Sequence, residues 1–319
     1  MAQDRDLSAD IPDARKRTGM KAINAGAAPD YDPSERIADI YKYVVDMSQR
    51  VIGLEKKVDA LIRREFLDRS RLSVLQGIRA DRFPMLSQHE EAGYLLALFT
   101  HIGEGTRRFV DIGCGVNGGN CGFFALEAGW SGLLVDEAPQ CIREVEVLYR
   151  GTAAKTLQWS VTPDNVNRLF SEHGFGADVD LFSLDVDGPD YWVWQGLTAV
   201  QPRVVVLEYN STFGPTAAVT IPYDREFDNR TLKGVDRLYF GASLTALTRL
   251  SARKGYRLIA TDDSGANAIY LRHDVAAHIP AATPEQAFRW LPKHRNQVLK
   301  IGDALTYFND RGLPLTTVD

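Results

Sequence analysis

The chain has 319 residues, enough for one large α/β domain with appendages or for two small domains. Hydrophobic residues at 45% and charged residues at 25% fit an ordinary folded domain and exclude a largely disordered chain. A net charge of −5 with only short Lys/Arg clusters speaks against nucleic acid as a partner. No apolar stretch approaches the ~20 residues that cross a bilayer, so no membrane span is expected.

Residues 1–32 are rich in Ala, Asp, Pro and charge, and are expected to form a disordered leader. The basic run 14–18 within it reads as a solvated tail. The opening Met-Ala-Gln-Asp-Arg-Asp lacks the apolar centre of a signal peptide. Cys114, Cys121 and Cys141 cannot pair completely and lack Cys-x-x-Cys spacing. Together these features lead us to expect a cytoplasmic protein.

Residues 33–64 carry the clearest periodicity. Ile37, Val44, Val51 and Val58 fall seven apart, with Ile40, Met47, Leu54 and Leu61 three residues later. This is an a/d seam with β-branched a positions, the pattern of a parallel two-stranded coiled coil. Pro33 and Glu35 suit a helix start. The expected partner through 33–64 is a second copy of the chain, although one amphipathic helix packed on its own domain would share much of the pattern.

Residues 65–106 read as a helical lead-in. From 107 to 274, strands and helices alternate, which implies a doubly wound, mainly parallel α/β sheet. The expected strands are 109–112, 132–136, 157–161, 179–185 and 203–208. The expected helices are 119–129, 139–149, 164–174 and 190–200. A helix at 242–254 then leads to a hairpin of 256–261 and 267–272. Residues 275–319 read as a mixed helix and loop extension with no legible chemistry.

The first strand runs into Asp111-Ile-Gly-Cys-Gly-Val-Asn-Gly-Gly119, which opens the next helix. Gly113, Gly115, Gly118 and Gly119 let a backbone turn sharply and approach a ligand, with Asn117 on the same loop. Asp136 ends the second strand, where a carboxylate would hold ribose hydroxyls. A strand, glycine loop, helix and acid in this order serve dinucleotides or S-adenosylmethionine. Asp111 would repel a pyrophosphate but could accept from the ammonium end of S-adenosylmethionine, directly or through water. A methyltransferase is therefore favoured over a nicotinamide-dependent oxidoreductase. A non-catalytic coiled-coil scaffold with a degenerate domain is a further alternative.

Ser87-Gln-His-Glu-Glu-Ala-Gly-Tyr94, Phe109-Val-Asp-Ile-Gly-Cys-Gly115 and Gly129-Trp-Ser-Gly-Leu-Leu-Val-Asp136 resemble the opening of FkbM-like class I methyltransferases. So do Leu184-Asp-Val-Asp-Gly-Pro-Asp-Tyr-Trp192 and Pro202-Arg-Val-Val-Val-Leu-Glu-Tyr-Asn210. Asp136 and Asp187 stand where the family pattern carries Glu, which keeps the charge and shortens the reach. The resemblance implies a seven-stranded Rossmann-like methyltransferase fold, S-adenosylmethionine as cofactor, and O-methylation of a small molecule or glycan. It also implies that Val161 and Thr162 flank the adenine. Asp164 reads as the cap of the following helix.

Asp185 and Asp187 lie two apart and share a face while the chain stays extended. Glu208 and Asn210 end the neighbouring strand. Cofactor contacts are expected from Asp111, Gly113, Gly115, Asn117, Asp136, Val161, Thr162 and Asp185, and catalysis from Asp187, Glu208 and Asn210. Three readings of the acids stand open. Asp185, Asp187 and Glu208 could hold Mg2+ against an acceptor hydroxyl. Asp187 or Glu208 could be a metal-free general base. One or more could simply accept from loop N–H groups.

Asp190 reads as a helix cap, and Trp192 and Trp194 as core. His89, His173 and His273 do not suggest a catalyst. Residues 211–240 hold Tyr223, Asp224, Arg225, Asp228, Arg230 and Tyr239, a length and composition shared by binding loops and surface insertions.

Overall fold

A computed structural model describes residues 40–41, 43–45, 47–48, 91–175 and 178–319. The chain divides into two compact units, 1–61 and 62–319. In the first, the described residues 40–41, 43–45 and 47–48 are helical, and the seam residues Ile40, Val44 and Met47 are exposed. The rest of the seam, the leader, most of the lead-in and His89 lie outside the described residues.

The second unit opens on α1 (Glu91–Ile102) and then alternates strand and helix: β1 (Arg108–Ile112), α2 (Gly122–Leu126), β2 (Ser131–Asp136), α3 (Pro139–Leu148), β3 (Ala154–Gln158), α4 (Val166–Glu172), β4 (Leu181–Leu184), α5 (Asp190–Gly196) and β5 (Val204–Glu208). An insertion with the short β6 (Val219–Thr220) precedes α6 (Leu244–Arg253), β7 (Tyr256–Thr261) and β8 (Asn267–Arg272). The tail carries α7 (Pro284–Ala287), α8 (Pro292–Ile301), α9 (Ala304–Asp310) and β9 (Thr316–Thr317).

Seven strands form one sheet in the order β3-β2-β1-β4-β5-β8-β7. The first five pair in parallel, and β8 runs antiparallel to both neighbours. Order 3-2-1-4-5 reverses direction between β1 and β4, the place where doubly wound sheets open a crevice at their strand ends. This is the doubly wound, mainly parallel Rossmann-like sheet that the alternation of strands and helices leads us to expect.

Strand alternation sends successive side chains to opposite faces. Val110 and Ile112 pack with α4, α5 and α6 through Leu169, Trp194 and Leu247. Phe109 packs with α1 and α2 through Leu98 and Phe124. Burying a side chain of this size contributes roughly 1.5–3 kcal/mol, so two such faces make the sheet a rigid platform. A third core joins the insertion to the tail: Phe213, Val219, Ile221 and Tyr239 meet Ala304 and Phe308. β6 also pairs with β9. The tail, which had no legible role, thus completes the insertion.

Candidate functional site

The glycine loop is folded by the acid beneath it. Alternation turns Asp111 toward the α2 face, where its Oδ2 accepts from the Cys121 N–H at 2.7 Å. Asn120 donates to Ser183 Oγ at 3.0 Å, tying the same loop to β4. Asp111 is only 1% exposed. Burial raises its pKa to about 6 against the lowering effect of these donors. The carboxylate lies beneath the loop that it organises, which disfavours the direct form of the expected ammonium contact and leaves the form through water.

Gly113 joins this loop to the neighbouring strand end. Its φ is +84°, and a Cβ there would lie 1.5 Å from the Asp185 carbonyl oxygen. No side chain fits in that space. Asn117 is supported from α3's end, where the Tyr149 hydroxyl donates to its carbonyl oxygen at 2.6 Å. Tyr149 is a loop support that the sequence did not single out, since it follows the loop by a whole strand and helix.

Asp136 ends β2 with its carboxylate partly exposed. Oδ2 accepts from Gly115 N–H at 2.9 Å and Oδ1 from Ala138 N–H at 2.8 Å. Trp159 N–H donates to the Asp136 carbonyl oxygen at 3.0 Å, so the chain leaving β3 runs alongside. Val161 is 9% exposed and belongs to the core, which leaves it little surface for an adenine. Thr162 is partly exposed; its N–H donates to Asn165 Oδ1 at 2.8 Å. Asn165, not Asp164, stands at the cap of α4. His173 stands at the C-cap of α4, partly exposed and packed edge-on against Trp159.

At the adjacent strand ends, oxygen atoms of Asp185, Asp187 and Glu208 lie within 4.8 Å of one another. They converge by a different route from the one expected. β4 stops at Leu184, and Asp187 has φ +54°, so a left-handed turn and not an extended strand brings it back over Asp185. A non-glycine residue held there carries backbone strain on the order of 1 kcal/mol or more, and such strain collects at functional sites. Asp190, the first residue of α5, fixes this turn by accepting from Val186 N–H at 2.9 Å and Gly188 N–H at 3.1 Å. It reaches backward and does not cap its helix.

The charge state of the group follows from burial. Desolvation, then Asp190 and Asp187, push Asp185 up to about 8. Burial, then Asp185, Asp187 and Asp190, push Glu208 well above the carboxylate range, and it shares a hydrogen bond with Asp185 in which Glu208 donates. Burial also raises Asp187, partly offset by Lys293 and Arg230. Among the described residues, none of the three carboxylates has an ion-pair partner within 4.0 Å. At the opposite end of β4, buried Asp180 has Arg203 at 3.0 Å and accepts from the Gly105 and Arg107 N–H groups. That acid is satisfied by its scaffold. The trio is a hard-oxygen donor set without a cation, suited to a divalent ion or to proton abstraction.

Asn210 does not join them. It is fully buried; its Nδ2 donates to the carbonyls of Leu238 and Phe240, and its Oδ1 accepts from Thr212 N–H. The expected catalytic role is corrected to one of holding the insertion, because both ends of its amide are taken. Trp194 lies in the core, and Trp192 donates from Nε1 to the Ile221 carbonyl at 2.9 Å. Ser211, which follows Asn210, meets the tail: Leu291 N–H donates to its Oγ at 3.1 Å, and buried His294 Nδ1 lies 3.3 Å away. Burial lowers His294 to about 4, so this imidazole is neutral near pH 7. His294 and Lys293 entered the site through tertiary packing alone.

No protein-family model matches the sequence, and no curated protein matches it. Among solved structures, the chain is similar to a S-adenosylmethionine-dependent methyltransferase from Clostridium acetobutylicum, at 10% identity over 57% of this chain and 90% of that one, with a TM-score of 0.37. It is similar to the N-terminal domain of EvdMO1, crystallised in the presence of SAH and D-fucose, at 12% identity over 66% and 96% of the two chains, with a TM-score of 0.38. It is also similar to CalO1, a methyltransferase in calicheamicin biosynthesis in its SAH-bound form, at 12% identity over 56% of each chain, with a TM-score of 0.32.

Proposed function

We propose that the chain is an S-adenosylmethionine-dependent O-methyltransferase of the FkbM-like kind, acting on a sugar hydroxyl of a glycan or glycosylated metabolite. The observation that carries this reading is the juxtaposition at Gly113. The glycine loop and the acid trio touch there, so a donor on the loop and an acceptor at the trio would be neighbours. Asp136 is the acid available to ribose hydroxyls, and Gly113, Gly115 and Asn117 supply the backbone against which the rest of the donor lies.

In the proposed step, the acceptor oxygen attacks the methyl carbon of the sulfonium and the carbon–sulfur bond breaks. The electron pair stays on sulfur as the neutral thioether, and the hydroxyl proton passes to Asp187, because Glu208 already holds the proton of its hydrogen bond to Asp185. A carboxylate with a raised pKa is a stronger base for that proton. The trio's three hard oxygens also fit Mg2+, which would supply Lewis acidity to lower the pKa of a bound hydroxyl. The exposed seam residues Ile40, Val44 and Met47 support self-association through 33–64.

Calorimetric titration with S-adenosylhomocysteine and with NAD+ tests the assignment. Binding of the first alone is expected; binding of NAD+ alone would overturn it. Methyl transfer that EDTA abolishes and Mg2+ restores is expected of the metal-assisted form, and unchanged turnover in EDTA would leave Asp187 as base without metal.

A further inference from the structure

The insertion has two firm roots and a loosely held tip. At the first root, β6 pairs with β9, and the Ile221 N–H donates to the Gly241 carbonyl at 3.0 Å. At the second, Asp236 accepts from the Tyr307 hydroxyl at 3.0 Å and from Arg311 at 2.6 Å, while the Tyr239 hydroxyl donates to the Pro314 carbonyl. Between them, residues 223–231 bond to themselves. The Glu226 N–H donates to Asp224 Oδ1, and the Thr231 N–H and hydroxyl donate to the Asp228 carbonyl. Among the described residues, the hydrogen bonds of this tip all stay within 223–232.

Two side chains reach out of the tip. Phe227 packs on the trio's turn, where a Cβ on Gly188 would lie 3.0 Å from its ring. Arg230 reaches Glu137 at 3.8 Å. Asp228 aims it by accepting from the Arg230 N–H at 2.9 Å and from Nε at 2.8 Å. Glu137 is fixed in turn: its Oε2 accepts from the Ser160 hydroxyl at 3.1 Å, and its carbonyl from the Gln158 amide at 3.3 Å.

These two feet stand on opposite banks of the crevice. Gly188 lies in the turn after β4, and Glu137 follows the last residue of β2. β1 lies between those strands. Neighbouring strands sit ~4.8 Å apart, so the banks are separated by about 10 Å. Phe227 and Arg230 are three residues apart, and three residues reach about that far. The tip therefore passes over the end of β1, where the glycine loop begins and where such sheets bind their ligands.

Resting on the methyltransferase reading, we propose that residues 223–231 are a lid over the donor, latched by Arg230 on Glu137. Phe227 is the packed foot on the acceptor bank. The Arg230–Glu137 pair is the releasable foot, because both side chains are largely exposed and such a pair is weak. The donor enters and leaves when the latch opens. Both partners of the latch are protein groups, so its release speeds entry and exit alike and leaves affinity unchanged.

The test is stopped-flow binding of S-adenosylhomocysteine to the full chain and to Glu137→Gln, which keeps an acceptor for Ser160. The association and dissociation rate constants are expected to rise together, roughly threefold to fivefold, with Kd unchanged. Salt at ~0.5 M is expected to speed the wild type in the same way and to leave the variant unmoved. Unchanged rates in Glu137→Gln would overturn the lid. Faster dissociation alone, with weaker affinity, would also overturn it and place Glu137 on the ligand. Trypsin cleavage after Arg225 follows opening without any ligand, and is expected to be faster in the variant by the same factor. Failure of S-adenosylhomocysteine to bind the wild type would overturn the methyltransferase reading instead. The cleavage rates would then decide the lid alone, equal rates overturning it.

Discussion

The two halves of the site are built in opposite ways. In the half that faces the proposed donor, each acid is satisfied close by in sequence: Asp111 by Cys121, and Asp136 by Gly115 and Ala138. In the half that faces the proposed acceptor, Asp185, Asp187 and Glu208 have no such donors. Their surroundings come from the insertion at 211–240 and the tail at 289–294. The first half is a local motif whose charges are settled by its own backbone. The second is an assembly of buried carboxyls whose charge burial suppresses and which no cation contacts among the described residues, which costs stability and leaves reactive groups available.

Gly113 is where that division can be broken outright. Gly113→Ala drives a methyl group into the Asp185 carbonyl at a φ that alanine disfavours. We expect loss of S-adenosylhomocysteine binding and of turnover together, with a drop in stability of ~3 kcal/mol or more, read by calorimetry and thermal melting. A variant that kept either half working would show that the halves are not mechanically joined.

Two substitutions then test whether the halves separate. Asp187→Asn tolerates the left-handed backbone but removes the charge. It is expected to lower turnover about 10²–10⁴-fold with S-adenosylhomocysteine affinity unchanged. Asp136→Asn is expected to weaken that affinity by about tenfold while turnover at saturating donor holds. The converse pattern in either variant, measured by calorimetry and labelled methyl transfer, would reverse the assignment of donor and acceptor ends.

The same division governs what could be read in advance. Asp111, the glycine loop and Asp136 were legible because their partners lie within one stretch of chain and the apolar runs of β1 and β2 frame them. The hairpin of β7 and β8 was legible to the residue, since strand, turn and strand are contiguous. β3 was placed three residues late. It is the sheet's edge, holds only half-buried and exposed positions, and lacks the apolar run that marks a central strand. The acid trio was identified by residue type, but not the left-handed turn that gathers it. Asn210 looked reactive because nothing in its neighbourhood reveals that Leu238 and Phe240 consume its amide. The tail's Lys293 and His294 become meaningful only when the chain returns to Ser211.

Acidification offers the mildest probe, acting on the latch of the acceptor half. Burial holds folded His294 at about 4 against an ordinary 6.5. Between those values the unfolded chain binds a proton that the folded one refuses. The contribution of His294 to stability is therefore complete above about pH 6.5 and is lost as pH falls toward 4. The shift corresponds to roughly 3 kcal/mol, enough to lower the melting temperature by several degrees. Asp185, with its folded pKa raised, acts with the opposite sign and favours the folded state at lower pH. The raw profile therefore mixes the two. The difference in melting temperature between wild type and His294→Gln, followed from pH 7.5 to 4.5, isolates the latch. Wild type is expected to lose its advantage as the pH drops. A difference that stays flat across this range would mean that the imidazole titrates freely, and that Ser211 is held by Leu291 alone.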